Sequence, residues 1–99
     1  WMEAGPEVQR LAALPAAEKR VHRAPTDASA RFDLADLHFE LARRCQAQAR
    51  ASAPDRAAAL DCAVGARLAA DDAYRKGLEL SPRDRRGQAG LNQVQRLPR

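Results

Sequence analysis

Pro82 is the position that most limits what this chain can fold into. It closes Ala70 to Asp84, ADDAYRKGLELSPRD, a stretch with helical spacing up to Leu80. Ala70, Tyr74, Gly77 and Leu78 share one face at spacings of 4, 3 and 1, and Asp71, Asp72, Arg75, Lys76 and Glu79 share the other. A residue before proline is pushed out of the α region, and Pro82 has no N–H for a continuing helix. The same residues suit a new start, with Ser81 as N-cap, Pro82 at the first position and Asp84 placed for a capping box. One helix therefore stops and another begins within a few residues, which predicts a tight helix–turn–helix.

Other prolines divide the rest. Pro6 to Leu14 is a short helical run with Val8, Leu11 and Leu14 on one side, and Pro15 is expected to break or kink it. Ala16 to Ala24 continues as a turn or two, ending at Pro25, with Thr26 or Asp27 as the next N-cap. Ala28 to Ala51 then contains neither glycine nor proline. Phe32, Leu34, Ala35, Leu37, His38, Leu41, Ala42 and Cys45 give it an apolar stripe broad enough for two neighbours. Ser52 to Asp55 reads as a loop, and the next helix runs from about Pro54 to Leu80. Its inward residues are expected to be Leu60, Ala63, Val64, Arg67, Ala70, Tyr74 and Leu78. Gly65 is its weak point, costing about 0.8–1 kcal/mol against alanine. The last helix is expected over 82–97, carrying Ala89, Leu91, Val94 and Leu97 and weakened by Gly87 and Gly90.

The expected fold is all-α: antiparallel helical hairpins in a single domain over 1–99. A closing helix (6–24, kinked at Pro15), a long hairpin (28–80) and a final helix (82–97) make it up. Aromatics are only 4% of residues and alanine is the commonest apolar type, so the core must come from closely spaced helices. No alternating β-branched run predicts a strand, and no apolar run is long enough to span a membrane. Trp1-Met2-Glu3 lacks the basic-then-apolar pattern of a signal peptide. Trp before Met reads as a trimmed chain or excised domain; the reading favours the cytoplasm, and a removed leader would place it in the periplasm or outside the cell.

A-x3-Y-x2-G-L-x-L-x-P, at Ala70, Tyr74, Gly77, Leu78, Leu80 and Pro82, resembles the second helix of a tetratricopeptide (TPR) repeat. Arg31-x2-Leu34-Ala35-x2-His38 stands in the frame of the first helix, W-x2-L-G-x2-Y: Leu34 and Ala35 match, Arg31 and His38 depart. Pro25 sits where a preceding repeat would close, and Leu91 falls in the frame of a following first helix. Pro25 to Pro82 spans 57 positions, where one repeat takes about 34. The surplus, around 46–66, keeps helical periodicity and reads as a lengthening of both helices. The resemblance implies a right-handed stack with one over-long hairpin. It also implies a concave face lined by Ser29, Phe32, Asp36, Phe39, Glu40 and Arg43, which would bind a peptide or protein segment. Phe32 and Phe39, seven apart, would anchor a partner's apolar side chains or else pack on the N-terminal helix. Asp36 argues against the subclass that clamps a terminal carboxylate.

Little points to chemistry. His38 and Cys45 share a face, but tetrahedral zinc needs further ligands, and His22 and Cys62 have no ligand-type spacing to them. No metal or cofactor is expected. If the hairpin turns near Ala53, Cys45 and Cys62 lie level with each other. The expectation is a pair of buried free thiols; a disulfide is open if the Cα atoms come within about 7 Å in an oxidising compartment. Asp71 and Asp72, adjacent on a helix, diverge too far for acid–base work. No serine sits in a nucleophile elbow.

The net charge is +4, and all basic residues but Lys19 and Lys76 are arginine. Arg83-Asp84-Arg85-Arg86 is the densest basic patch, without aromatics interleaved to stack on bases. The expected function is therefore a non-catalytic protein-interaction module, an adaptor or assembly scaffold. Its end helices should pair with another copy, a larger parent chain or a partner. The alternative is a basic helical nucleic-acid-binding domain.

Overall fold

Four helices follow one another: α1 (Pro6–Arg23), α2 (Ala28–Ala51), α3 (Arg56–Leu80) and α4 (Arg85–Gln95). The structure is a computed structural model that describes residues 6–51 and 56–97, with side chains described from Ala13 onward. No strand occurs among the described residues, and the protein is all-α. The predicted loop at Ser52 to Asp55, with its helix start at Pro54, lies outside the described residues. So do Val8 and Leu11 as side chains.

α2 and α3, 24 and 25 residues long, form an antiparallel hairpin. Arg56 Nε donates to the Ala49 carbonyl (3.2 Å), which sets those residues level near the bend. Further along, Cys45 lies level with Cys62, Asp36 with Tyr74, and Phe32 with Gly77. The two helices run close together because the inward residues are mostly alanine. Ala35, Ala42, Ala63, Ala66 and Ala70 are all buried, and small side chains let two backbones run close together without a gap. α1 packs on α2, and α4 packs on α3 and α2.

Cys45 and Cys62 form a disulfide, with Cα atoms 5.9 Å apart. This corrects the expectation of free thiols. Alanine packing brings the two backbones within the reach of a disulfide, which spacing alone left open.

The turns on either side of the hairpin are built alike. In Ala24-Pro25-Thr26-Asp27 the Asp27 N–H donates to the Ala24 carbonyl (3.0 Å), and in Ser81-Pro82-Arg83-Asp84 the Asp84 N–H donates to the Ser81 carbonyl (3.1 Å). Each aspartate then caps the next helix. Asp27 Oδ1 accepts from the Ala30 N–H (3.3 Å), and Asp84 Oδ1 accepts from the N–H groups of Arg86 (2.8 Å) and Gly87 (3.3 Å). Six residues beyond each proline a side chain reaches back to its carbonyl: Arg31 Nε to Pro25 (2.9 Å), Gln88 Nε2 to Pro82 (3.0 Å). Asp84, not Ser81, is therefore the N-cap, and α4 starts at Arg85 rather than Pro82. Pro82 occupies the turn because the chain must reverse before new helical bonds form.

α1 runs through Pro15 without a break, as the single closing helix expected. Two further expectations are corrected. Leu60 and Val64 point outward, 47% and 57% exposed, and Leu68 joins them at 62%, because no described residue of another element covers that flank of α3. Ala89 is exposed, and Gly87 and Gly90 take the inner face of α4 with Val94. Their role is close approach. A Cβ on Gly87 would lie 2.6 Å from the Phe32 ring and one on Gly90 2.2 Å from the Tyr74 ring, while a Cβ on Gly77 of α3 would lie 2.3 Å from Phe32. The Phe32 ring thus fills a slot between two glycines, 6.5 Å from Tyr74 between centroids.

Candidate functional site

The residues expected to meet a partner lie on α2, and the structure divides them by depth. Phe32 is 1% exposed and belongs to the core with Ala35, Ala70, Ala73, Tyr74 and Val94. It is not a surface anchor, and it packs on α3 and α4. Burying it there removes a large apolar ring from water, which a side chain facing the α3–α4 junction does by preference. Phe39, one heptad on, is half-buried against the same core and keeps an edge open, with the Arg43 guanidinium 5.9 Å from its ring centroid. Ser29 and Arg43 are exposed, and Glu40 is half-buried.

Asp36 is exposed but engaged. Arg86 Nη2 reaches both Asp36 Oδ2 (2.6 Å) and Asp33 Oδ1 (2.5 Å). The Tyr74 hydroxyl donates to the other Asp36 oxygen, and Arg20 pairs with the other oxygen of Asp33. Arg20 also stands 3.7 Å from Asp27. A polar brace thus ties α1 (Arg20), α2 (Asp33, Asp36), α3 (Tyr74) and α4 (Arg86) together. Asp36 is a structural member of this brace rather than a carboxylate held ready for a partner.

The electrostatics follow from the brace. Burial pushes the Asp33 carboxyl up, but hydrogen bonds from Arg86 and Arg20, with their charges, outweigh it and leave the group below its ordinary value. Burial, then the hydrogen bond and charge of Asp36, push the Tyr74 phenol well above its usual range. Hydrogen bonds to Asp36 and Asp33 raise the already high value of Arg86. On the α1-facing side of α2, burial lowers His38 against the opposing charge of Glu18. The Asp33 and Asp36 carboxylates are each paired with arginine.

Sequence reasoning missed Asp33, Arg20 and Arg86 as members of one cluster. Asp33-x2-Asp36 is visible as a pair one helical turn apart, but their cations arrive from distant positions in the chain. Arg86 belongs to the basic patch at 83–86, and its guanidinium is turned onto α2 while Asp84 caps α4. Among the described residues no group of three or more histidine, cysteine, aspartate or glutamate side chains is arranged to hold a metal ion. No described helix is long and apolar enough to cross a membrane.

Fold and surface define the protein as an all-α chain of antiparallel helices with a charged brace across all four. No family model, no curated protein and no solved structure matches it.

Proposed function

We propose that this chain is a non-catalytic, TPR-like protein-interaction module that holds a peptide or protein segment along the outward face of α2. It works as an adaptor or assembly scaffold. The observation that carries this reading is Phe39: a ring half in the core and half open, with Arg43 over it, on a face where Ser29, Asp36 and Arg43 are exposed. Such a site offers an apolar partner side chain a rigid edge to pack on and a charged group beside it. The likeness of the Pro25 and Pro82 turns supports a repeat architecture, since equivalent caps and side-chain-to-prolyl bonds recur at a fixed offset.

A displayed peptide library selected on the whole chain tests it. Bound peptides should tolerate rising salt and lose binding to Phe39→Ala and Arg43→Glu. Peptides held as well by Phe39→Ala would remove the α2 site, and affinity falling steeply with salt would favour a polyanion partner instead.

A further inference from the structure

The Cys45–Cys62 bond divides the hairpin into stretches of very different support. The large buried side chains, Phe32, Tyr74 and Val94, gather with Ala35, Ala70 and Ala73 away from the bend, and Phe39 packs against them. Between that cluster and the bond, the buried described residues are Ala42, Ala63 and Ala66, each offering a single methyl group. The same stretch holds Gly65, a poor helix former with nothing within 4 Å of where a Cβ would stand. Arg67 Nε donates to the Val94 carbonyl (3.4 Å), so α4 ends near the level of Arg67. On the bend side of the bond the buried described residues are only Ala49 and Ala59. Helices in proteins are held mostly by packing, and segments with few buried contacts open locally at low cost.

We propose that the Cys45–Cys62 bond is a redox-controlled stop on the opening of the hairpin. Opening that begins at the bend end runs along both helices until something holds them together. With the bond intact it halts at Cys45 and Cys62. With the bond reduced it runs on through 42–44 and 63–66 to the layer of Phe39 and Ala70. A cross-link acts only on states that would part its two ends, so opening confined to 46–51 and 56–61 does not feel it. The closed hairpin predominates in both forms, and what changes is how far the chain opens. The reductant is a dithiol. Cys45 is 6% exposed and Cys62 is half-buried, so the incoming thiolate bonds to the Cys62 sulfur and the Cys45 thiolate leaves. The second sulfur of the dithiol then displaces the Cys62 thiolate. The dithiol ends as a disulfide, and its two protons pass to the two cysteines. None of this depends on the reading of the α2 face as a binding site.

Amide hydrogen exchange, followed by nuclear magnetic resonance on the whole chain before and after treatment with dithiothreitol, tests the proposal. The amides of Ala35 and Tyr74 report opening of the buried cluster and serve as references. Reduction should speed exchange at Arg43, Arg44, Arg67 and Leu68 by about tenfold or more relative to those references, while circular dichroism stays helical. Gln48 to Arg50, on the bend side, should keep their own rates. The protein with Cys45→Ser and Cys62→Ser should match the reduced one with no reductant present. A rise shared equally by Ala35 and Tyr74 overturns the proposal, since the bond would then steady the whole fold and stop nothing. Unchanged exchange at Arg43 and Arg67 in the reduced protein overturns it too.

Discussion

Gly90 packs directly on Tyr74: a Cβ at position 90 would fall 2.2 Å from ring atom Cε1, closer than any real contact allows. Alanine is the better helix former by about 0.8–1 kcal/mol, but here it collides with a buried ring that Asp36 also holds by its hydroxyl. Overpacking of this kind costs about 1–3 kcal/mol. Gly90→Ala should therefore lower stability in urea denaturation despite the gain in propensity. An unchanged or raised midpoint would show that α4 shifts freely on α3.

Gly65 is the control. It is exposed, and a Cβ there meets nothing within 4 Å. Gly65→Ala should raise stability by about 0.8–1 kcal/mol, read in the same titration.

The two phenylalanines should respond differently. Phe32→Ala empties the slot between Gly77 and Gly87 and should cost about 3–5 kcal/mol. Phe39→Ala removes a half-buried ring and should cost clearly less. Equal losses in thermal unfolding would contradict the division between core and surface.

The Cys45–Cys62 bond closes a loop of sequence separation 17. Loops of that size restrict the unfolded chain by about 3 kcal/mol, so reduction, or Cys45→Ser with Cys62→Ser, should lower stability by that order. The helices should persist, since alanine packing continues on both sides of the bond. Unreduced protein should resist thiol alkylation until it is treated with a reductant.

The brace should show in the pH dependence at both ends. Asp33 has a folded value below its unfolded one of 3.8, so its contribution is present above that pH and is lost as pH falls through the lower folded value. Asp33→Asn should flatten this part of the acid limb. Tyr74 is shifted the other way. Its contribution is complete below its unfolded value of 10.0 and is lost as pH rises towards the higher folded value. Tyr74→Phe should cost about 0.5–1.5 kcal/mol at neutral pH and remove the alkaline loss. A Tyr74→Phe protein that still lost stability steeply above pH 10.0 would place the alkaline loss elsewhere.

The helices were legible because they depend on neighbours in the chain. Ala28 to Ala51 reads as one helix from the absence of glycine and proline, and the sorting of Ala70, Tyr74, Gly77 and Leu78 from the acids and bases beside them names the buried face. The two i,i+4 pairs on the outer face, Asp71 with Arg75 (2.5 Å) and Asp72 with Lys76 (2.9 Å), follow from the same spacing. The candidate site was only partly legible. A stripe on α2 names Phe32 and Phe39 together, but periodicity carries no information on which of them a third helix will cover.

Local sequence thus determined an all-α chain, the stop at Pro82 and the long hairpin, since periodicity and a missing proline N–H act within a turn or two. Tertiary structure decided the rest: Phe32 between Gly77 and Gly87, Asp36 bound by Arg86 and Tyr74, the Cys45–Cys62 bond, and the exposure of Leu60, Val64 and Leu68. Each of these depends on how closely helices distant in sequence approach, and small residues make that approach possible without specifying which helix makes it.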